Sequence, residues 1–162
     1  MKKNLLIIGA GQFGQVTKEI AESTKNYDKI DFLDDGSDLA IDKIVNAKNY
    51  KNEYQCFVVA MGNPEKRKII VETLEKKFEL VSIISPKAYI SSSAIIGKGS
   101  IIESNALVNA NTTIGKSCLI CVGAIVNHNA IVNDYCHINC GAIVKSNSIV
   151  KENTKVDYGE IV

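Results

Sequence analysis

The second half of the chain carries a six-residue repeat that restricts its fold to one type. From Tyr89 onward an aliphatic residue recurs at every sixth position, without interruption. Four positions after it comes a small residue in eleven of twelve cases, the exception being Glu160, and three positions after it comes Gly or Asn in nine of twelve cases. The aliphatic, small and Gly or Asn positions thus share one six-residue period, which predicts short strands stacked in successive coils. The aliphatic positions are Ile90, Ile96, Ile102, Val108, Ile114, Ile120, Val126, Val132, Ile138, Val144, Val150, Val156 and Val162.

The Gly and Asn positions predict where the chain turns. These two residues best tolerate a left-handed backbone, so this position of each repeat is expected at a corner. Three repeats of six make one triangular coil of 18 residues, and 86–162 therefore predicts about four coils of a left-handed parallel β-helix. The corner positions are Gly99, Asn105, Asn111, Gly123, Asn129, Gly141, Asn147, Asn153 and Gly159.

The first part of the chain, 1–85, has a different pattern. Short apolar runs alternate with stretches of helical periodicity, which predicts a small parallel sheet with helical crossovers, an α/β domain. The segment 38–53 is polar and irregular, and no element is predicted for it. We predict strands over 5–8, 30–33, 56–60 and 80–84, and helices over 15–25 and 65–77.

Charge and cysteine content limit the classes of partner. Nineteen basic residues against eighteen acidic ones give a net charge of +1, without a basic stripe, so no nucleic-acid partner is expected. No apolar run approaches about 18 residues, so no membrane span is expected either. Five cysteines, an odd number, without an export signal predict reduced thiols and a cytoplasmic location.

A glycine-rich loop follows the first predicted strand. The segment Gly9-Ala10-Gly11-Gln12-Phe13-Gly14 has the GxGxxG spacing, and Asp34 stands twenty residues after it. Such a loop presents backbone N–H groups to a phosphate at the start of a helix. A domain as short as 1–85 lacks the second half of a dinucleotide fold, which disfavours a nicotinamide cofactor. Binding of another phosphate-containing ligand and simple tight packing of the glycines both remain open.

The chain resembles the bacterial sugar acetyltransferases that join a small Rossmann-like domain to a left-handed β-helix, the PglD/NeuD-like family. That family includes N-acetyltransferases of UDP-4-amino sugars and sialic-acid O-acetyltransferase-like proteins. The resemblance covers nearly the whole chain. It rests on the glycine loop, 32–35, 59–64 with Arg67, 84–90, Asn127-His128-Asn129, and His137 nine residues after His128.

The resemblance implies an activity and a set of site residues. It implies an acetyl-CoA-dependent acetyltransferase with His128 as general base, assisted by Asn129, and a homotrimer with active sites between subunits. His128 and His137 are half a coil apart, so they are expected on opposite sides of one subunit. The resemblance assigns the cofactor to His137, Gly141 and Ser146, and the nucleotide-sugar to Gly11, Gln12, Phe13, Asp34, Asp35, Gly62, Asn63 and Arg67.

Three features depart from the family pattern and support an alternative. The family usually has a histidine where Phe13 stands and an acidic residue where Asn129 stands, and longer members continue for further coils that help to hold coenzyme A. A catalytically silent trimer that binds nucleotide-sugar or organises partner enzymes is therefore the alternative. Asn129 also has a purely structural interpretation, because it occupies a corner position.

The cysteines suggest a metal site at first. Cys118 and Cys121, and Cys136 and Cys140, have spacings like those of zinc ribbons. In the repeat register, Cys118 and Cys136 fall on the interior small-residue position. Cys121 and Cys140 fall on different positions and are expected not to converge. We therefore predict no metal site.

Overall fold

The first part of the chain is a small α/β domain, as predicted. The computed structural model describes residues 2–162. The strands β1 (Lys3–Ile8), β2 (Tyr27–Leu33), β3 (Cys56–Val59) and β4 (Glu79–Leu80) form a parallel sheet in the order β2-β1-β3-β4. Two helices, α1 (Gln12–Thr24) and α2 (Pro64–Leu74), supply crossovers. Because helices and connecting segments cover both faces, β1 and β3 are nearly continuous runs of buried apolar side chains.

The segment left unassigned in the sequence, 38–53, folds against the open side of this sheet. Asp42 forms a parallel bridge with Leu33, at the end of β2. A 3-10 helix follows at Ile44–Tyr50, and Ala47 within it is buried. The segment therefore extends the edge of the sheet and covers its core, which apolar periodicity did not predict.

The remainder of the chain is a parallel β-helix built from thirteen two-residue strands. Each strand pairs with the third strand after it in the chain, so three flat sheets form the faces of a triangular prism. The fold class is confirmed as a left-handed β-helix. Its strands are β5 (Ile83–Ile84), β6 (Tyr89–Ile90), β7 (Ile95–Ile96), β8 (Ile101–Ile102), β9 (Leu107–Val108), β10 (Thr113–Ile114), β11 (Leu119–Ile120), β12 (Ile125–Val126), β13 (Ile131–Val132), β14 (His137–Ile138), β15 (Ile143–Val144), β16 (Ile149–Val150) and β17 (Lys155–Val156).

The predicted strand over 80–84 is wrong as a single element. Glu79–Leu80 completes the first sheet, whereas Ile83–Ile84 pairs with Ile101–Ile102 and is the first strand of the β-helix. The physical reason is the repeat itself, because Ile84 stands six residues before Ile90. The chain thus changes sheets between Leu80 and Ile83, slightly before the predicted boundary at 85.

The aliphatic and corner positions behave as the repeat predicts. The aliphatic side chains from Ile102 to Val156 fill the interior of the prism together with the small residues. All nine predicted Gly and Asn corners have a positive φ. Two further corners, Ser117 (φ 51°) and Tyr135 (φ 59°), adopt the same conformation without being Gly or Asn. Such residues incur a steric penalty there and need support from their surroundings.

One face of the prism carries the α/β domain. This face, formed by β5, β8, β11, β14 and β17, is called the docked face. The outward side chains of Ile83, Ile101 and Leu119 are buried in a single apolar cluster with residues of β1, β3 and α1. His137 and Lys155 occupy the next two outward positions of this face.

No helix within residues 2–162 is both long enough and apolar enough to cross a lipid bilayer.

Candidate active site

His128 lies at an exposed corner of the prism. It sits between β12 and β13, so it is on the edge opposite the docked face. Its backbone N–H donates to Asn127 Oδ1 (2.9 Å), and its backbone carbonyl accepts from Asn147 N–H one coil later (3.2 Å). The corner is therefore held by hydrogen bonds on both sides, while the imidazole faces solvent.

Both ring nitrogens of His128 have polar neighbours. Asn129 Nδ2 lies 3.0 Å from Nδ1, and Ser146 Oγ lies 2.9 Å from Nε2. When the amide N–H donates to Nδ1, the ring proton is on Nε2 and points to the serine oxygen. Turning the amide group over presents Oδ1 instead, which fixes the proton on Nδ1 and leaves the Nε2 lone pair free. Asn129 has φ 57°, so one residue provides both the corner and the imidazole partner.

His137 is in a different environment from His128. Its ring packs 6.4 Å from that of Phe13 between centroids, and a Cβ built on Gly62 would lie 3.5 Å from its Cε1. Nε2 lies 3.3 Å from Cys121 Sγ. Nδ1 is buried and finds no hydrogen-bond partner within the described residues. Burial and the charge of Arg67 lower the pKa of His137 to about 4, so its ring is neutral.

The two histidines are on opposite sides of the subunit. His137 belongs to the docked face, whereas His128 is at the corner between the other two faces. His137 instead meets the glycine loop and the end of β3 through Phe13 and Gly62. Within a single subunit the two histidines therefore cannot line one common site.

The three glycines of the glycine loop have different reasons for being glycine. Gly9 has φ 105°, and a Cβ on Gly14 would lie 2.0 Å from the carbonyl oxygen of Gly9, so backbone conformation and packing explain both. A Cβ on Gly11 would meet no atom within 4 Å among residues 2–162 outside its own chain neighbours. Gly11 precedes α1, and Gln12 beside it is also exposed. The open space at Gly11 is where a ligand could approach the helix N-terminus.

The polar residues at the strand ends are partly used by the protein itself. Asp34 accepts from the N–H groups of Ala10 and Gly36, both at 2.8 Å, and these bonds lower the pKa of its carboxyl group. Asp35 Oδ1 accepts from Ile44 N–H at 3.0 Å. Asn63 caps α2 by accepting from Lys66 N–H at 2.8 Å. These side chains lie beside the glycine loop and accept hydrogen bonds from backbone N–H groups. Each therefore has a structural role that was not predicted from the sequence.

Arg67 corrects one of the predicted substrate ligands. It is fully buried, and its guanidinium donates to the carbonyl oxygens of Ser117 (2.8 Å), Met61 (2.6 Å), Tyr135 (2.5 Å) and Cys136 (3.2 Å). With every nitrogen occupied, it cannot contact a substrate. The prediction failed because an arginine near the end of a strand is typical of an anion-binding site. Three of its four carbonyl partners belong to distant parts of the chain, so its buried role could not be predicted from the local sequence.

Two further predictions meet different outcomes. Gly141 lies at an exposed corner with φ 68°, where its conformation explains the residue. The expectation that Cys121 and Cys140 do not converge is wrong, since their sulfur atoms and a Glu103 carboxylate oxygen lie within 4.8 Å of one another. Cys121 follows β11 by one residue and Cys140 follows β14 by two, so residues at different positions of the repeat meet beside the same edge of the prism.

Comparisons with known proteins agree with this architecture. Residues 4–74 match the PglD N-terminal domain. The acetyltransferase domain of PglB from Neisseria gonorrhoeae FA1090, solved in complex with acetyl coenzyme A, is 30% identical with a TM-score of 0.95, over 99% of this chain and 82% of that one. Perosamine N-acetyltransferase from Caulobacter crescentus, solved with CoA and GDP-perosamine, is 20% identical with a TM-score of 0.89, over 98% and 88%. No curated protein sequence matches the chain significantly.

The fold and these matches define a hexapeptide-repeat acetyltransferase that carries a small Rossmann-like α/β domain. Within that class, the family is assigned from the match to the PglB domain, which is 30% identical over 99% of this chain. The chain belongs to the PglD-like bacterial sugar acetyltransferases.

Proposed function

We propose that the protein transfers an acetyl group from acetyl-CoA to an amino or hydroxyl group of a nucleotide-linked sugar, with His128 as the general base. The observation that carries this proposal is the pair of contacts around His128. Asn129 and Ser146 hold an exposed imidazole by its two nitrogens, at 3.0 and 2.9 Å. A surface histidine that merely fills a corner needs no such orientation.

The chemistry follows from the tautomer. With Asn129 Oδ1 accepting from Nδ1–H, Nε2 takes a proton from the sugar amine or hydroxyl as that group attacks the thioester carbonyl. The carbonyl–sulfur bond then breaks, and coenzyme A leaves as the thiol. Ser146 stands beside Nε2, where its hydroxyl hydrogen-bonds the ring until the acceptor group replaces it. An amide stabilises the resulting imidazolium less than a carboxylate would.

The α/β domain is proposed to hold the nucleotide part of the substrate. The open backbone at Gly11, the exposed Gln12 and the rim formed by Asp34 and Asp35 support this assignment. Phe13 and Gly62 border His137, which supports a sugar-binding side next to that ring. The relatives solved with CoA and GDP-perosamine suggest the substrate class, and the sugar itself is open.

A trimer is proposed because two faces of the prism remain apolar and uncovered. Outward side chains on these faces include Tyr89, Ile95 and Ile149, which are 59%, 65% and 65% exposed. Packing three prisms around an axis would cover such faces and create equivalent clefts. His128 of one subunit would then face His137 of its neighbour, and acetyl-CoA would lie between them near Gly141 and Ser146.

The activity is tested by thiol release. The protein is incubated with acetyl-CoA and a panel of nucleotide-linked amino sugars, and free coenzyme A is followed with a thiol reagent. We expect sugar-dependent release, and His128→Gln should lower kcat by about 10²- to 10⁴-fold, the usual contribution of a general base. Sugar binding without release by the parent protein would favour the catalytically silent trimer.

The two roles of Asn129 can be separated by substitution. Asn129→Gly keeps a residue that tolerates φ 57° but removes the amide, so kcat should fall about tenfold, equivalent to one ordinary hydrogen bond, without loss of stability. Asn129→Asp supplies a carboxylate and should raise kcat. Asn111 occupies the same corner one coil earlier, so Asn111→Gly and Asn111→Asp are matched controls. Equal activity of all four variants would leave Asn129 with a corner role only.

A further inference from the structure

A buried carboxylate and two thiols come together at a corner beside the docked face. Glu103 and Cys121 each follow a strand of that face, β8 and β11, and stand at equivalent positions of adjacent coils. Cys140 lies two residues after β14, in the coil after that of Cys121. One donor atom from each residue lies within 4.8 Å of the other two. The cluster thus draws on three successive coils.

The carboxylate in this cluster lacks a compensating positive charge. Glu103 is 7% exposed, and its hydrogen-bond donor is the N–H of Val122, 2.8 Å from Oε2. No Lys, Arg or His among residues 2–162 forms an ion pair with it. A buried carboxylate with a single donor is costly unless it is protonated or meets a cation.

A fourth donor atom stands next to the cluster. His137 Nε2 lies 3.3 Å from Cys121 Sγ. Two ligand atoms on a tetrahedral zinc ion lie about 3.4 to 3.8 Å apart, given bond lengths of about 2.0 to 2.3 Å. The existing separation is therefore close to that of a bound ion, and the other distances need only a modest contraction.

We propose that Glu103, Cys121 and Cys140 form a binding site for a thiophilic divalent cation of the zinc type, with His137 Nε2 beside it as the nearest fourth donor. Two sulfur ligands select zinc-like ions over magnesium and calcium, which prefer oxygen. Within one subunit the cluster is separate from His128, which is on the opposite edge of the prism. In the proposed trimer it would lie beside the cleft that His137 lines.

Binding of the cation must displace protons. Burial and the charge of Glu103 raise the pKa of the Cys121 thiol, and burial raises the pKa of the Glu103 carboxyl group. Both groups are therefore protonated more readily than usual when the site is empty, whereas the cation binds thiolate and carboxylate. Affinity should consequently rise with pH.

The test uses the full chain, reduced with a non-thiol reductant and freed of metal. Cobalt(II) is added, and absorption is followed for thiolate-to-cobalt charge-transfer bands, which report sulfur ligands directly and do not depend on acetyl transfer. We expect saturable bands at one cobalt per chain, displaced by zinc and unaffected by magnesium. Cys121→Ser/Cys140→Ser should abolish them, and Glu103→Gln should weaken affinity at least about 10-fold.

The matched control is Cys136→Ala, which removes a thiol from the prism interior. Its position of the repeat holds alanine in other coils, such as Ala124 and Ala142, so the variant should fold, as a thermal melt verifies. Its cobalt spectrum should equal that of the parent. Bands that persist in the double variant, disappear in Cys136→Ala or are unaffected by Glu103→Gln would overturn the proposal. So would a parent protein that shows no bands, or whose Cys121 and Cys140 form a disulfide instead of binding metal.

Discussion

His137 is one of the residues through which the β-helix contacts the α/β domain. It occupies an outward position of the docked face that holds Ile101 and Leu119 in the preceding coils. An imidazole replaces an aliphatic side chain there, and it packs against Phe13 and Gly62. The contact requires a neutral ring, because the surroundings are apolar and Arg67 is nearby.

This neutrality predicts a pH dependence of stability. The folded pKa of His137 is lowered to about 4, while an unfolded histidine titrates near about 6.5. Between those values the unfolded chain binds a proton that the folded chain does not, so the free energy of unfolding should decrease as pH falls from about 6.5 toward 4. Urea unfolding at fixed protein concentration measures this slope.

Substitution of His137 itself is the control. His137→Gln should flatten the slope in the upper part of this window, above the range in which carboxylates titrate. Equal slopes in parent and His137→Gln would show that the ring is not held neutral by the fold.

For Asn129, also a single residue, the sequence left two interpretations of its role open. Corner geometry and imidazole orientation each explained the residue, and a residue type alone cannot separate them. The structure joins them, because the left-handed backbone brings the short amide back to the ring of His128. Ser146 was assigned to the cofactor, and the contact of its hydroxyl with the His128 ring was not predicted. The repeat predicts which residues lie at a corner, but it does not predict the rotamers of their side chains.

At the scale of elements, α2 supports two strained corners of the β-helix. Ser117 and Tyr135 adopt a left-handed conformation without being Gly or Asn, and their carbonyl oxygens both accept from Arg67. These corners are one coil apart and lie directly above one another. The buried guanidinium thus offsets backbone strain in two successive coils and fixes the helix to the prism.

Removal of this clamp should be strongly destabilising. Arg67→Met keeps much of the buried volume but leaves the carbonyl oxygens of Ser117, Met61 and Tyr135 without a donor, whereas that of Cys136 keeps the N–H of Leu119. Each buried acceptor left unsatisfied costs about 1 to 3 kcal/mol. We expect the free energy of unfolding to fall by about 3 kcal/mol or more in urea titrations. Lys68→Met, on the exposed side of the same helix, is the control and should change stability little. An Arg67→Met protein as stable as its parent would rule out the clamp.

Secondary-structure elements were predicted correctly where the repeat extends over many residues. The predictions failed at individual positions that the repeat does not describe. Thirteen repeats predicted the strands and the interior of the prism, because each repeat supports the same register. The strand over 80–84 was misassigned, since two adjacent apolar pairs look continuous in sequence although Leu80 and Ile83 belong to different sheets. The convergence of Cys121 and Cys140 was missed because the repeat position alone does not exclude contact between side chains of adjacent coils that leave neighbouring strand ends.

At the scale of the whole molecule, the uncovered faces predict assembly. Ile131 and Ile149 are adjacent on one of these faces and are 39% and 65% exposed. Placing charges there should prevent packing of prisms, so Ile131→Glu/Ile149→Glu should convert a trimer to monomers and abolish acetyl transfer. Light scattering of the eluting protein measures the mass directly.

The control for this variant is Val45→Glu. Val45 is 77% exposed on the 3-10 helix of the α/β domain, away from both uncovered faces, and the same change there should leave the trimer intact. A monomeric parent protein, or a double variant that remains trimeric, would contradict the proposed assembly.

The strict register of the coils also has a consequence for insertions and deletions. Losing one residue within a strand would move every later residue by one position of the repeat, so interior side chains would point outward and His128 would leave its corner. Gaining one whole coil before it would instead raise His128 by about 4.8 Å along the prism without changing its direction. Sequence drift in such a fold can therefore change length in whole coils while the orientation of a corner residue is retained.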